Sequence, residues 1–148
     1  MTDAARDNIV ISSHQRAMRV PRKRIAELVA YVARREGARL GEVDVAVVSR
    51  QRIATLNRRW LGRRGATDVM SFDLSAPDEP LTAEIVVCAD VAVAEARRRG
   101  HGPQRELLLY VAHGLLHLLG YDDAGGAAEA RRMHARQEEL LEAFLRGR

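Results

Sequence analysis

Residues 113–123, HGLLHLLGYDD, place two histidines, His113 and His117, four positions apart in an otherwise apolar stretch. On a helix such residues lie on one face, about 6 Å apart at Cβ, so both imidazoles can bind one tetrahedral metal ion. Gly120 allows a positive φ and predicts a sharp turn at the helix end. The residues after it can then fold back toward His117, which makes Asp123 the third candidate ligand. Three protein ligands with one open position are typical of a catalytic zinc site.

The same spacing also occurs without a metal, because histidines on a buried helix are often satisfied by hydrogen bonds. The pattern argues against peptide hydrolysis in either case. Zinc peptidases of the HExxH type carry a glutamate general base directly after the first histidine, and that position is Gly114 here. His134 lies outside the spacing, in an arginine-rich stretch, and is interpreted as a surface residue.

Apolar spacing predicts the elements that would position these residues. Strands are predicted at 8–12, 42–49, 67–74 and 83–89, and helices at 21–37, 49–61, 90–99, 103–119 and from 126 onward. Ser49 and Asp90 are the predicted N-caps of their helices. Together the elements predict a single α+β domain over residues 1–148. Its mixed sheet of about four strands packs against helices, with the HxxxH metal-binding helix in the C-terminal half.

The composition is that of a globular protein, with 47% hydrophobic and 30% charged residues. No apolar run approaches the roughly 18 residues of a membrane span, and the N-terminal MTDAARDNIV has no apolar core of a secretory signal. A single cysteine, Cys88, suits a reducing compartment. A cytoplasmic protein without a membrane partner is therefore expected.

The basic residues are lopsided, since 23 arginines stand against one lysine, Lys23, and the net charge is +4. Arginine binds phosphate bidentately, which favours an RNA or DNA partner. Codon bias in a GC-rich genome would also exchange lysine for arginine, and the abundant alanine and glycine agree with that explanation. The charge alone is permissive for nucleic-acid binding.

Three blocks of the sequence resemble the YbeY family of bacterial metal-dependent endoribonucleases. HGLLHLLGYDD resembles the family's H-G-x-L-H-L-x-G-Y-D-H and differs at the last position. LNRRWLGRRGATDVMSF (56–72) resembles L-N-x-x-Y-R-x-K-D-x-P-T-D-V-L-S-F, and LTAEIVVCAD (81–90) resembles L-G-D-I-V-I-C. Order and spacing agree from about residue 42 to residue 123.

The resemblance implies that His113 and His117 are zinc ligands and that Asp123 replaces the family's third histidine. Aspartate is an acceptable zinc ligand, although its negative charge leaves a different divalent ion open. Asp122 would either form a hydrogen bond to a ligand or close the turn.

The resemblance also implies an RNA surface, with one departure. The family's arginine after the aromatic residue is Leu61 here, so the neighbouring basic residues become the candidates. The catalytic candidates are Arg59, Arg63 and Asp68, and the RNA-binding candidates are Arg58, Arg63 and Arg64. Two other interpretations stay open: Asp68 as a turn-forming acid, and Arg58 and Arg59 as the solvated face of a helix.

The function that the resemblance implies is a single-strand-specific, zinc-dependent endoribonuclease. It would act in 3′-end maturation of small-subunit (16S) ribosomal RNA and in ribosome quality control, with ribosomal RNA and the small subunit as partners. The general base is open, with Asp68, Asp73 and Asp122 as candidates. The alternative is an RNA- or ribosome-binding assembly factor, in which a structural metal would be enclosed by four protein ligands.

Overall fold

A mixed four-stranded sheet organises the part of the chain that the computed structural model describes, residues 8–122 and 124–147. The strands are β1 (Ile9–His14), β2 (Leu40–Val48), β3 (Val69–Asp73) and β4 (Leu81–Cys88). Their order across the sheet is β1-β2-β4-β3. Strands β1, β2 and β4 are parallel, whereas β3 is an edge strand that runs antiparallel to β4. This confirms the predicted α+β class with a mixed sheet of about four strands.

Five helices accompany the sheet within the described residues. They are α1 (Arg22–Arg35), α2 (Arg50–Leu61), α3 (Ala89–Arg99), α4 (Pro103–Leu118) and α5 (Ala127–Leu145). Every predicted strand and helix is present, and the predicted bounds lie within two residues of the observed ones. In the described ranges, no helix has both the length and the apolar character that crossing a membrane requires.

Alternation along the strands divides the core between the two faces of the sheet. One face packs against α1, α4 and α5 through fully buried side chains that include Val45, Val47, Ile85 and Val87. The opposite face packs against α2 through a smaller cluster of Val48, Ile53, Met70, Val86 and Cys88. Helices α2 and α4 therefore lie on opposite faces of the same sheet.

Helix α4 begins at a buried ion cluster. Glu106 is fully buried, and its Oε1 lies 2.6 Å from Nε2 of His101 and 3.3 Å from Nη1 of Arg99. A buried carboxylate requires such partners, because its desolvation is otherwise uncompensated. The cluster therefore fixes the corner between α3 and α4. A second ion pair, between Arg105 and Glu142 at 2.7 Å, links α4 to α5.

The predicted capping role of Asp90 is wrong in one respect. Helix α3 begins one residue earlier, at Ala89, with Cys88 as its N-cap. The Asp90 carboxylate instead accepts a hydrogen bond of 2.7 Å from the Arg50 amide at the start of α2. Ser49 caps the same helix as predicted, since its hydroxyl accepts from the Arg52 amide at 3.2 Å. Two side chains thus satisfy amides that the first turn of a helix leaves without partners.

Helix α4 approaches the sheet closely at Gly114, the residue after His113. A Cβ atom built there would lie 3.1 Å from Cγ2 of Ile85 and 3.1 Å from Cγ2 of Val69. Ser71 is next, with its Cβ at 3.8 Å. The absence of a side chain therefore sets both the distance and the rotation of α4 relative to β3 and β4.

Replacing Gly114 with glutamate, which would create an HExxH sequence, is expected to lower the free energy of unfolding by at least about 3 kcal/mol. The new side chain would meet the branched methyl groups of β3 and β4 and would bury a carboxylate without a partner. Urea denaturation followed by circular dichroism measures the change. The matched control is Gln104→Glu on the exposed first turn of the same helix, expected to change stability by less than about 0.5 kcal/mol. A Gly114→Glu variant as stable as the control would contradict this account of the helix position.

Candidate functional site

The two predicted metal ligands lie on the last two turns of α4. His113 and His117 are one turn apart, so they share a face of the helix. His113 is half-buried and His117 is exposed, whereas the neighbouring Leu115 and Leu116 are fully buried. The histidine face of α4 therefore lies at the boundary between the core and solvent, as a site open to a substrate requires.

A buried glutamine on α5 orients the first histidine. Nδ1 of His113 lies 2.7 Å from Oε1 of Gln137, whose side chain is buried. An amide oxygen only accepts hydrogen bonds, so a neutral His113 makes this hydrogen bond when its proton is on Nδ1. Metal-binding histidines are typically held by this kind of second hydrogen bond.

Sequence reasoning missed Gln137, although a signal was present. The apolar buried residues of α5 are Met133, Leu140, Leu141 and Phe144, and the buried Gln137 lies among them. A polar side chain within an apolar stripe needs a buried partner. That partner is His113, on a different helix, which the spacing within α5 does not identify.

The end of α4 has the turn that Gly120 predicted. Gly120 has a φ of 108°. Its amide donates to the carbonyl of His117 at 3.2 Å, and the next amide, of Tyr121, donates to the carbonyl of Leu116 at 3.1 Å. This pair of hydrogen bonds is a Schellman motif, in which the left-handed residue satisfies the last helical carbonyls. The chain consequently leaves the helix directly after the second histidine.

The chain after this turn is held by a polar cluster between α1 and α5. The Tyr121 hydroxyl donates to the Glu36 carboxylate at 3.2 Å, and Nε of Arg136 donates to Oε1 of Glu36 at 2.7 Å. The guanidinium of Arg132 lies 5.3 Å from the centre of the Tyr121 ring. Burial, followed by the charge of Glu36, raises the pKa of Tyr121, so the phenol remains a hydrogen-bond donor. Two helices thus fix the segment that leads to residues 122 and 123.

Of the two aspartates after the turn, Asp122 has a local hydrogen-bond partner. Oδ1 of Asp122 accepts a hydrogen bond of 2.8 Å from the Ala124 amide, so its side chain closes the turn. Asp123, the predicted third ligand, lies outside the described residues. Within residues 8–122 and 124–147, no three histidine, cysteine, aspartate or glutamate side chains cluster closely enough to hold a metal ion.

The other candidate carboxylates also accept hydrogen bonds from nearby amides. Asp68 accepts from the Val69 amide at 2.8 Å, and Asp73 accepts from the Ser75 amide at 2.9 Å. The hydrogen bonds to Ser75 lower the pKa of Asp73, which makes it a weaker base. Asp68 also lines a cavity of about 400 Å³ together with Tyr110 of α4. The Asp68 carboxylate therefore has a local backbone partner and also faces this cavity.

Two of the predicted RNA-binding arginines share a cavity. Arg58 and Arg64 line a volume of about 460 Å³ together with Thr55. The loop between them is shaped by Gly62, which ends α2 with a φ of 64°. Asn57 reinforces the loop, because its side-chain amide donates to the carbonyl of Gly65 at 3.1 Å. The basic loop is thus folded back onto the last turns of α2.

The predicted catalytic arginines also lie at this end of α2. The guanidinium of Arg59 lies 5.4 Å from the centre of the Trp60 ring, and Arg63 is exposed in the loop. These residues and the histidines lie on opposite faces of the sheet, with the edge strand β3 between them. Val69 and Ser71 of β3 lie toward Gly114, and Phe72 belongs to the cluster on the α2 side.

Comparisons with known proteins agree on one family. The family model for Endoribonuclease YbeY matches residues 8–145. The chain is 41% identical over 134 residues to Endoribonuclease YbeY of an Anaeromyxobacter strain, covering 89% of this chain and 69% of that protein. It is 37% identical over 132 residues to Endoribonuclease YbeY of a Nocardioides strain, covering 82% of this chain and 88% of that protein.

A solved structure gives the same result for the fold. A protein of Thermotoga maritima, known from its solution structure, aligns with a TM-score of 0.64 and 29% identity. The alignment covers 90% of this chain and 87% of that one. Because the family match runs through every strand and helix described above, the chain belongs to the YbeY family of endoribonucleases.

Proposed function

We propose that this chain is a zinc-dependent endoribonuclease that cleaves single-stranded RNA, acting in 3′-end maturation of 16S ribosomal RNA and in ribosome quality control in the cytoplasm. The observation that supports it most directly is the orientation of His113 by the buried Gln137, within a chain of this family. A histidine held by a second hydrogen bond at the edge of the core is typical of metal-binding sites. The ribosomal substrate rests on the family resemblance.

The donor set fits a divalent metal ion. His113 and His117 would supply two nitrogen ligands and Asp123 an oxygen ligand, so zinc fits the set and the carboxylate leaves another divalent ion open. When bound, the metal would activate a water molecule or polarise the scissile phosphate. The exposure of His117 and the half-burial of His113 leave room for a substrate on this face.

The remaining residues would act on the RNA backbone. Arg58 and Arg64 would neutralise phosphate charge in the cavity they share, and Arg59 and Arg63, which flank the position of the family's arginine, would stabilise charge in the transition state. Leu61 is exposed at the position of the family's arginine, so it supplies no charge there. Asp68, Asp73 and Asp122 already accept hydrogen bonds from backbone amides, and none of them is assigned as the general base.

Replacing His117 with alanine is expected to abolish both zinc binding and RNA cleavage, because one of three ligands is lost. Zinc content by mass spectrometry and cleavage of a labelled single-stranded RNA are measured on the same samples. His134→Ala, at an exposed position of α5, is the matched control and should keep both properties. Asp123→Ala tests the third ligand in the same way.

Two outcomes would contradict the proposal. Cleavage that persists in His117→Ala or after thorough chelation would exclude a metal nuclease at this site. Stoichiometric zinc in a wild-type protein that binds RNA without cleaving it would favour the assembly factor with a structural metal.

Removing the hydrogen-bond acceptor of His113 is expected to weaken metal binding without unfolding the protein. Gln137→Leu should lower the zinc affinity about 10- to 100-fold, because the imidazole loses its fixed orientation. Gln137→Glu is the matched variant and should retain tight binding, since its carboxylate accepts the same N–H. Affinity is measured by competition with a chromophoric chelator, and long-range ¹H–¹⁵N spectra report the tautomer. A His113 proton on Nε2 in the metal-free wild type would show that Gln137 donates rather than accepts.

Neutralising the arginines of the shared cavity is expected to weaken RNA binding regardless of sequence. Each of Arg58→Ala and Arg64→Ala should reduce the slope of log affinity against log salt by about 0.7, the value for one phosphate contact on a single strand. Fluorescence anisotropy with labelled single-stranded RNA at several salt concentrations measures the slope. Arg131→Ala, on the exposed side of α5, is the control and should leave it unchanged. Equal slopes in the wild type and the three variants would show that the cavity is not part of the RNA-binding surface.

A further inference from the structure

Large apolar side chains are exposed at the basic end of α2. Trp60 is 60% exposed and Leu61 51%. The Trp60 ring contacts Phe72 of β3 edge-on, with 6.4 Å between ring centres and 69° between planes. We call Trp60, Leu61 and Phe72 the Trp60 platform. An indole exposed to this extent leaves a large aromatic surface in contact with water.

The charge around the Trp60 platform has one sign. Residues 58–64, RRWLGRR, contain four arginines and no acid. In the described part of the chain, no carboxylate lies within ion-pairing distance of these four arginines, whereas Arg98, Arg99, Arg105 and Arg136 all pair with glutamates. An apolar surface surrounded by uncompensated positive charge is complementary to a polyanion that carries flat apolar groups.

We infer that the Trp60 platform is a stacking site for a base of single-stranded RNA, with the flanking arginines on the adjacent phosphates. The inference deepens the proposed function, on which it rests for the choice of RNA as the polyanion. Single-strand binders combine aromatic stacking with a positively charged path for the backbone. Because every base has a stacking face, such a site accepts RNA without reading its sequence.

Magnitudes favour a base over the group that covers the ring in the free protein. The guanidinium of Arg59 lies 5.4 Å from the centre of the Trp60 ring. An exposed cation–π contact shifts an equilibrium about 2- to 5-fold, whereas stacking one base contributes about 5- to 150-fold. A base can therefore displace Arg59 from the indole, which leaves its guanidinium to pair with phosphate.

The position of the Trp60 platform connects it to the histidine face of α4. Phe72 belongs to the platform, and the preceding Ser71 lies toward Gly114 on the opposite face of the sheet. Since β3 is an edge strand, an RNA strand can pass around this edge from one face to the other. Leu61, which replaces the family's arginine, adds exposed apolar area to the platform next to Trp60.

The experiment uses the intrinsic fluorescence of the protein, because Trp60 is its only tryptophan. Wild-type protein supplied with zinc is titrated with a single-stranded 2′-O-methyl oligonucleotide, whose integrity is checked by gel electrophoresis, and with an abasic oligomer of the same length. We expect the base-containing oligonucleotide to quench Trp60 and the abasic oligomer to bind without quenching. Trp60→Ala should weaken binding of the first oligonucleotide about 5- to 150-fold, and Trp60→Phe should retain most of the affinity. Val10→Ala, an exposed apolar position on the far edge strand β1, is the control and should bind as the wild type does.

The outcomes separate this inference from the proposed function. If Trp60 is not quenched and Trp60→Ala binds normally while the wild type cleaves RNA, the stacking inference is contradicted and the nuclease proposal is kept. If quenching occurs in a protein that cleaves no RNA, the stacking inference is supported and the nuclease proposal is contradicted. A second copy of the chain could also cover the platform, and sedimentation of the free protein tests this. A dimer that dissociates in Trp60→Ala would make the platform a contact between two copies and would overturn the inference.

Discussion

The close approach of α4 to the sheet at Gly114 is the constraint that sets the geometry of the site. Successive helical residues are about 100° apart. With Gly114 directed at Val69 and Ile85, His113 lies about 100° to one side and His117 about 60° to the same side. Both histidines thus emerge where the helix leaves the sheet. A side chain at position 114 would push the helix away and move them, and the glutamate of an HExxH base would lie between helix and sheet.

The same helical rotation creates a polar stripe that other elements must satisfy. Tyr110 follows Glu106 by four residues, and His113 follows Tyr110 by three. All three residues therefore fall on the same side of α4. The contacts at Glu106 and His113 come from outside the helix: Arg99 and His101 at Glu106, and Gln137 at His113. Polar groups on a buried helix gain a fixed geometry from such partners, since unpaired they would be costly. The orientation of the histidines is therefore a property of the packed core.

The sequence predicted what depends on local spacing and missed what depends on distant partners. The strands, the helices, the Ser49 cap and the turn at Gly120 follow from periodicity and from the conformational range of glycine, both local properties. The cap from Asp90 to Arg50 joins residues 40 positions apart, and Gln137 is 24 positions from His113. Such pairs are fixed only when helices pack together. Hence α4 and its histidines were predictable, and the groups that orient them were not.

The edge strand β3 explains how one small sheet can serve two surfaces. Its side chains alternate, so Ser71 lies toward the histidine helix and Phe72 toward the arginine-rich end of α2. Codon bias would account for arginine in place of lysine along the whole chain, but it would not account for four arginines without a described carboxylate partner around an exposed tryptophan. In the proposed complex, stacking and phosphate contacts would together bind RNA without a charge at position 61. The loss of an arginine there would then alter the chemistry at the phosphate more than the affinity for the strand, because the groups proposed to hold the strand lie on either side of Leu61.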